Sequence, residues 1–150
     1  MAIAIGCDEA GFVMKENLKR MLQDIGRETE DFGTFDTKPV LYPDIAFAAA
    51  NSIAEGRNDR GVLICGTGIG MAITANKVHG VRAAQCHDTY SAERARKSND
   101  AQVITLGARV IGPELARSIL RAWLESEFEP QRSGPKVSRM RELEEAGRKL

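Results

Sequence analysis

Five short apolar runs alternate with helical patterns along the chain, and this alternation limits the possible folds more than any other feature. The first run, Ala2 to Ile5, ends at Gly6-Cys7-Asp8. Gly11 to Ile25 then places Phe12, Leu18, Met21, Leu22 and Ile25 at helical spacing, and Gly26 closes the helix. Glu28 to Phe32 is a weaker strand suited to a sheet edge. After a polar loop over 36–41, Tyr42-Pro43-Asp44 opens an alanine-rich helix that runs to Glu55. Gly61 to Ile64 is the third strand and Gly70 to Lys77 the third helix. Val81 to Gln85 follows, then a helix capped by Asp88 or Thr89 that reaches Lys97, then Gln102 to Leu106. Gly112-Pro113 starts a fifth helix, to Leu124. Residues 130–135, bounded by prolines, read as a link to a charged last helix, Lys136 to Arg148. Its Val137, Met140 and Leu143 suit the surface of a partner subunit.

Such alternation needs parallel strands joined by helical crossovers, with helices on both faces. The expected fold is therefore α/β: a single-domain, Rossmann-like, three-layer α/β/α unit over residues 1–150, with a five-stranded parallel sheet and an extra C-terminal helix. Ligands bind beyond the carboxyl ends of such strands. That rule places Cys7-Asp8, Gly33-Thr34, Cys65 to Gly70, Gln85 to Asp88 and Gly107 to Gly112 on one rim.

Lys and Arg balance Asp and Glu at 21 each, which argues against a nucleic-acid surface. No apolar run approaches membrane-span length, and the first residues lack the pattern of a signal peptide. Cys7, Cys65 and Cys86 are odd in number and widely spaced, with no metal-binding CxxC, so a reduced, cytoplasmic setting is expected. Cys7 and Cys86 read as core fillers. Trp123 and Phe128 read as packing or dimer contacts, and Arg94, Arg96 and Lys97 as a solvated helix face.

Residues 60–70, Arg-Gly-Val-Leu-Ile-Cys-Gly-Thr-Gly-Ile-Gly, carry the chemistry. Cys65 sits at a strand end. Gly66, Gly68 and Gly70 leave a loop with little side-chain bulk, so its backbone N–H groups can hold an anion. Donors beside a thiol favour the thiolate, a base and nucleophile. A strand-end cysteine is otherwise often a small buried hydrophobe. The glycine spacing is neither the dinucleotide fingerprint nor a P-loop.

The motif Cys65-Gly-Thr-Gly-Ile-Gly70, followed by Ala75-Asn76-Lys77 and Gly80-Val81-Arg82-Ala83, resembles the ribose-5-phosphate isomerase B and galactose-6-phosphate isomerase family. Gly6-Cys7-Asp8, Asp31-Phe32-Gly33-Thr34, Tyr42-Pro43, Ser98-Asn99-Asp100-Ala101 and Leu106-Gly107-Ala108-Arg109 match in order, over nearly the whole chain. The resemblance implies an aldose–ketose isomerisation of a phosphorylated small sugar through a cis-enediolate, with no metal or cofactor. On the same basis Cys65 is the base, with Thr67 beside it orienting it or moving a proton. The loop amides of Gly66, Gly68 and Gly70 suit the oxyanion. Asn99 matches a contact to the carbonyl or enediolate oxygen, and Asp8 a hydroxyl contact that also suits a helix N-cap. Tyr42 is either ligand-facing or a core aromatic. Arg109, Arg132 and Lys136 match the phosphate grip. The resemblance also implies a homodimer, possibly a tetramer, with active sites shared between subunits.

The chain departs from the family at three histidines. Glu9 follows Asp8, Ser98 stands where the ring-opening histidine precedes Asn99, and Ser133 replaces another near the phosphate. Only His79 and His87 remain, and His87 lies on the ligand rim. A serine shuttles protons poorly at neutral pH. A tetrose 4-phosphate needs no ring opening, because its O4 is esterified. The expected substrate is an erythrose/erythrulose 4-phosphate pair. If His87 or Glu9 opens a ring, ribose 5-phosphate is the alternative. A non-catalytic sugar-phosphate-binding module is the rival of another class.

Overall fold

A computed structural model describes residues 1–148, and in it each apolar run becomes a strand of one parallel sheet. Strands β1 (Ile3–Cys7), β3 (Arg60–Cys65) and β5 (Val103–Gly107) are buried along their whole length, because helices cover both faces. The edge strands β2 (Thr29–Asp31) and β4 (Ala83–Gln85) have three residues each. The spatial order is β2-β1-β3-β5-β4. The chain thus leaves β1 to one side for β2 and returns to its other side for β3. That switch opens a crevice beyond the carboxyl ends of β1 and β3, between Asp8 and Cys65.

Helices α1 (Phe12–Asp24), α4 (Thr89–Lys97) and α5 (Pro113–Leu124) cover one face, and α2 (Tyr42–Ala54) and α3 (Ile69–Ala75) the other. Leu18, Leu22, Ile104, Leu106, Ile119 and Trp123 fill the first core layer, and Ala46, Ala50, Leu63 and Met71 the second. The alanines of α2 let that helix lie close to β1. Each large apolar side chain buried here contributes roughly 1.5–3 kcal/mol.

Helix α6 spans Pro130–Arg148, so the expected link over 130–135 is already helical. Proline is tolerated in a first turn, where its missing N–H would have no helical partner. Pro130 takes that place, and the N–H groups of Arg132 and Ser133 donate to Glu129 O. Pro135 sits inside the helix, at the cost of one N–H bond. Helix α6 crosses the amino end of the chain's own sheet. The Glu129 N–H donates to Lys97 O at 3.1 Å, Arg141 lies 3.6 Å from Asp100, and Glu144 accepts from Gly80 N–H at 3.0 Å. Val137 is buried there, while Met140 and Leu143 stay exposed.

Arg96 departs from the expected solvated face: it is buried and donates to Ala101 O at 3.0 Å and to Asp100 Oδ1 at 3.2 Å. Its long stem carries the guanidinium under the end of α4 to the Ala101 carbonyl and the Asp100 carboxylate. Arg60 plays a similar part below α5, donating to Trp123 O, Leu124 O and Ser126 O. Both core-filler cysteines are buried, and burial pushes the thiols of Cys7 and Cys86 up to about 12.

Candidate active site

Parallel pairing brings the ends of β1, β3 and β5 level. Cys7 pairs with Ile64, Cys65 with Gly107, and Asp8 N–H donates to Ile64 O at 3.1 Å. Cys65 is 5% exposed, and its sulfur accepts the Gly68 N–H at 3.1 Å. The turn that delivers this donor needs glycine. Gly68 has φ +78°, and a Cβ there would come within 3.0 Å of the Leu106 backbone. The loop is pinned from below by β5, through Ala108 N–H to Cys65 O at 2.8 Å and Arg109 N–H to Gly66 O at 3.0 Å.

Arg109 lies over Gly66, where even a Cβ would meet its Cδ only at an ordinary contact distance of 3.4 Å. Thr67 is exposed; its Oγ1 accepts from Ile69 N–H at 3.2 Å, which shapes the turn. A Cβ at Gly70 would overlap the Tyr42 ring and hydroxyl, so Tyr42 packs flat on the first turn of α3. Asp8 caps the single 3-10 turn Glu9–Gly11 by accepting from Gly11 N–H at 3.1 Å. Burial raises its carboxyl above the usual carboxylate range, opposed by that N–H and by the nearby Arg109 charge.

Glu9 and His87, the two candidates to take over ring opening, each accept one backbone N–H. Glu9 Oε2 accepts from Val40 N–H at 3.2 Å, tying the 36–41 loop to the rim. His87 Nε2 accepts from Gly107 N–H at 2.9 Å, so that nitrogen carries no proton and braces the end of β5. Gln85, which no motif marks, donates to Thr67 O at 2.7 Å and braces the glycine loop from the edge strand. Its position at a strand end on the rim is the only sign of it in the sequence.

Asp8, Glu9, Tyr42, Cys65, Gly66, Thr67, Gly68, Gly70, His87 and Arg109 thus share the carboxyl rim. Ser98, Asn99, Arg132 and Lys136 do not. Ser98 and Asn99 end α4 just before β5 begins, and the start of α6, with Arg132 and Lys136, is held to the same place through Glu129 and Lys97. The five residues of β5, roughly 15 Å at about 3.3 Å per residue, separate this group from the carboxyl rim at Gly107 and Cys65. Asn99, Arg132 and Lys136 are exposed at that far pole. Among the described residues no group of three or more His, Cys, Asp or Glu is placed to hold a metal, and no helix is long and apolar enough to cross a membrane.

The chain is similar to known proteins along nearly its whole length. A family described as Ribose/Galactose Isomerase matches residues 3–140. A Listeria innocua protein named "Ribose-5-P isomerase B" is 57% identical over 148 residues, covering 99% of this chain and 100% of the relative. A Pectobacterium atrosepticum protein named "D-erythrulose-4-phosphate isomerase" is 55% identical over 141 residues, covering 93% of each. The structure of Clostridium thermocellum ribose-5-phosphate isomerase B superposes with a TM-score of 0.95 at 42% identity, covering 97% of this chain and 99% of that one.

Proposed function

The chain belongs to the ribose/galactose isomerase family and is a sugar-phosphate isomerase, and from that premise we propose that it interconverts D-erythrulose 4-phosphate and D-erythrose 4-phosphate, with Cys65 as base and each site shared between two copies. The observation that carries the four-carbon reading is the engagement of Glu9 by Val40 N–H and of His87 by Gly107 N–H. Ser98 offers only a hydroxyl. In Glu9 and His87 one of the two acid–base atoms is thus already taken by the main chain, and a tetrose 4-phosphate, which forms no furanose ring, needs neither group. The name of the Pectobacterium atrosepticum relative points the same way.

In this reading the Cys65 thiolate removes a proton from C1 of the ketose. The C–H electron pair becomes the C1=C2 bond, and charge collects on O2, where the loop amides and Asn99 receive it. The O1 hydroxyl proton moves to O2 with help from Thr67. The Cys65 thiol then returns its proton to C2, leaving a C1 aldehyde. Atoms and electrons balance without an oxidant or a metal. The near burial of Cys65 keeps the abstracted proton from bulk water until it is returned. Arg109 from one copy and Arg132 and Lys136 from the other hold the phosphate, and Asp8 and Tyr42 hold the hydroxyls.

Two copies are required because the thiol and the Asn99–Arg132–Lys136 group lie at opposite poles of one chain. A two-fold pair that sets one chain's carboxyl rim against the other's far pole completes two sites at once.

The test is the steady-state rate on both aldose phosphates and their ketoses. We expect kcat/KM for the tetrose pair to exceed that for the ribose/ribulose pair on the order of 100-fold, the worth of a missing acid–base group. A higher value on ribose 5-phosphate, the activity in the name of the Listeria innocua relative, overturns the four-carbon reading. Binding without turnover of either pair overturns the role of Cys65.

A further inference from the structure

Asp100 is the only non-glycine residue with positive φ among the described residues, at 49°. It occupies the position after α4 where helices commonly place glycine, and its N–H donates to Arg96 O at 3.1 Å. Backbone geometry alone would be met at lower cost by glycine. The residue present instead carries a carboxylate, and that carboxylate is fully used. Its Oδ2 accepts from Arg82 Nη2 at 2.9 Å, and its Oδ1 from Arg96 Nη1 at 3.2 Å. Arg141, on α6, stands 3.6 Å away.

Arg82 is the other half of the device. Its Nε donates to Asn99 O and to Asp100 O, both at 3.1 Å, and its Nη2 to Asp100 O at 2.9 Å. The guanidinium therefore grips the two consecutive carbonyls on either side of the Asp100 Cα, while the Asp100 carboxylate holds the guanidinium in place. The Asn99 side chain is left exposed on a fixed backbone. Through Arg141 the same carboxylate also reaches the helix that carries Arg132 and Lys136.

We propose that Asp100 is a positioning residue. With Arg82 it fixes the direction of the Asn99 side chain and the seating of α6, so that the far pole meets its partner's thiol as a preformed half-site. This rests on the reading of Asn99, Arg132 and Lys136 as one half of a shared site. Asp100 touches no substrate; its work is to leave Asn99 only one way to point.

The experiment is complementation between inactive copies, read beside kcat and KM. Asp100→Asn keeps a residue that tolerates positive φ and removes the charge that holds Arg82. Its kcat is expected to fall about ten-fold or more; the melting temperature is expected to fall as well, because Arg96 and Arg82 lose their carboxylate, so kcat is read well below that temperature. Co-expression of Asp100→Asn with Cys65→Ser pairs an intact thiol with an intact far pole in one site of each mixed dimer. Random pairing then restores about a quarter of wild-type activity. A defect of folding would not be relieved by such a partner. Arg82→Gln, which frees the Asn99 carbonyl while leaving Asp100 in place, is expected to behave in the same way and serves if Asp100→Asn does not fold. Asn99→Ala is the reference. Its loss of activity, complemented by Cys65→Ser, supports the shared site. If that holds while Asp100→Asn and Arg82→Gln keep full kcat, the positioning role alone is overturned. If Asn99→Ala keeps full activity, the shared-site reading and this inference are both overturned.

Discussion

Lys15 has no exposed side-chain surface, yet it carries a charge beside the candidate site. Its Nζ donates to both oxygens of Asp31, at 2.8 and 2.9 Å, and to Thr34 O at 2.7 Å, fixing the loop that follows β2. Burial acts to raise the Asp31 carboxyl, but hydrogen bonds from Lys15, Lys19 and Gly33 N–H outweigh it and hold the group below the usual carboxylate range. A carboxyl depressed on folding stabilises the fold above its unfolded value and loses that contribution as pH falls through its folded one. Asp31→Asn leaves the Lys15 charge buried without its partner, and should cost about 3 kcal/mol at neutral pH. Urea unfolding should show the gap between wild type and variant closing below about pH 4, where the unfolded carboxyl takes up its proton. A gap that persists at acid pH would show that the pair does not act through charge. None of this pairing is legible from the sequence, because Lys15 and Asp31 meet only once α1 has packed on β1 and β2. Cys65 is legible as a candidate because the features that mark it, the glycines that follow it, are its neighbours in sequence.

At the scale of elements, the fit of α2 against α3 turns on one missing side chain. Tyr42 lies on Gly70, and a methyl group there would displace the ring. Gly70→Ala should raise KM about ten-fold, with an overpacking cost of about 1–3 kcal/mol in denaturant unfolding. Unchanged kinetics would remove Tyr42 from the site. Strands and helices are legible because period and punctuation agree: Gly26 ends α1, and Pro113 begins α5. Helix α6 is the exception. Prolines at 130 and 135 signal a break to a reader of sequence, whereas Pro130 fits a first turn and Pro135 is carried inside the helix. Arg96 is misread for a related reason. A helix-face pattern says which way a side chain leaves the helix, not where a long one ends.

For the whole molecule, five strands lying in one direction give the sheet two unlike poles. Parallel topology makes the carboxyl rim predictable from strand ends, and so the first half of the candidate site is readable along the chain. The proposed second half is not, because Asn99, Arg132 and Lys136 gather at the far pole only once α6 has folded back beside the end of α4. A site built between copies vanishes when they part. Specific activity is expected to fall steeply on dilution, in step with the loss of dimer seen by light scattering, while circular dichroism stays unchanged. Activity that holds when the protein is monomeric would place all the chemistry within one chain. The two-pole layout also has a social consequence. In the proposed dimer, where each chain lends an arm and borrows one in return, a copy spoiled at both ends would idle its healthy neighbour as well as itself.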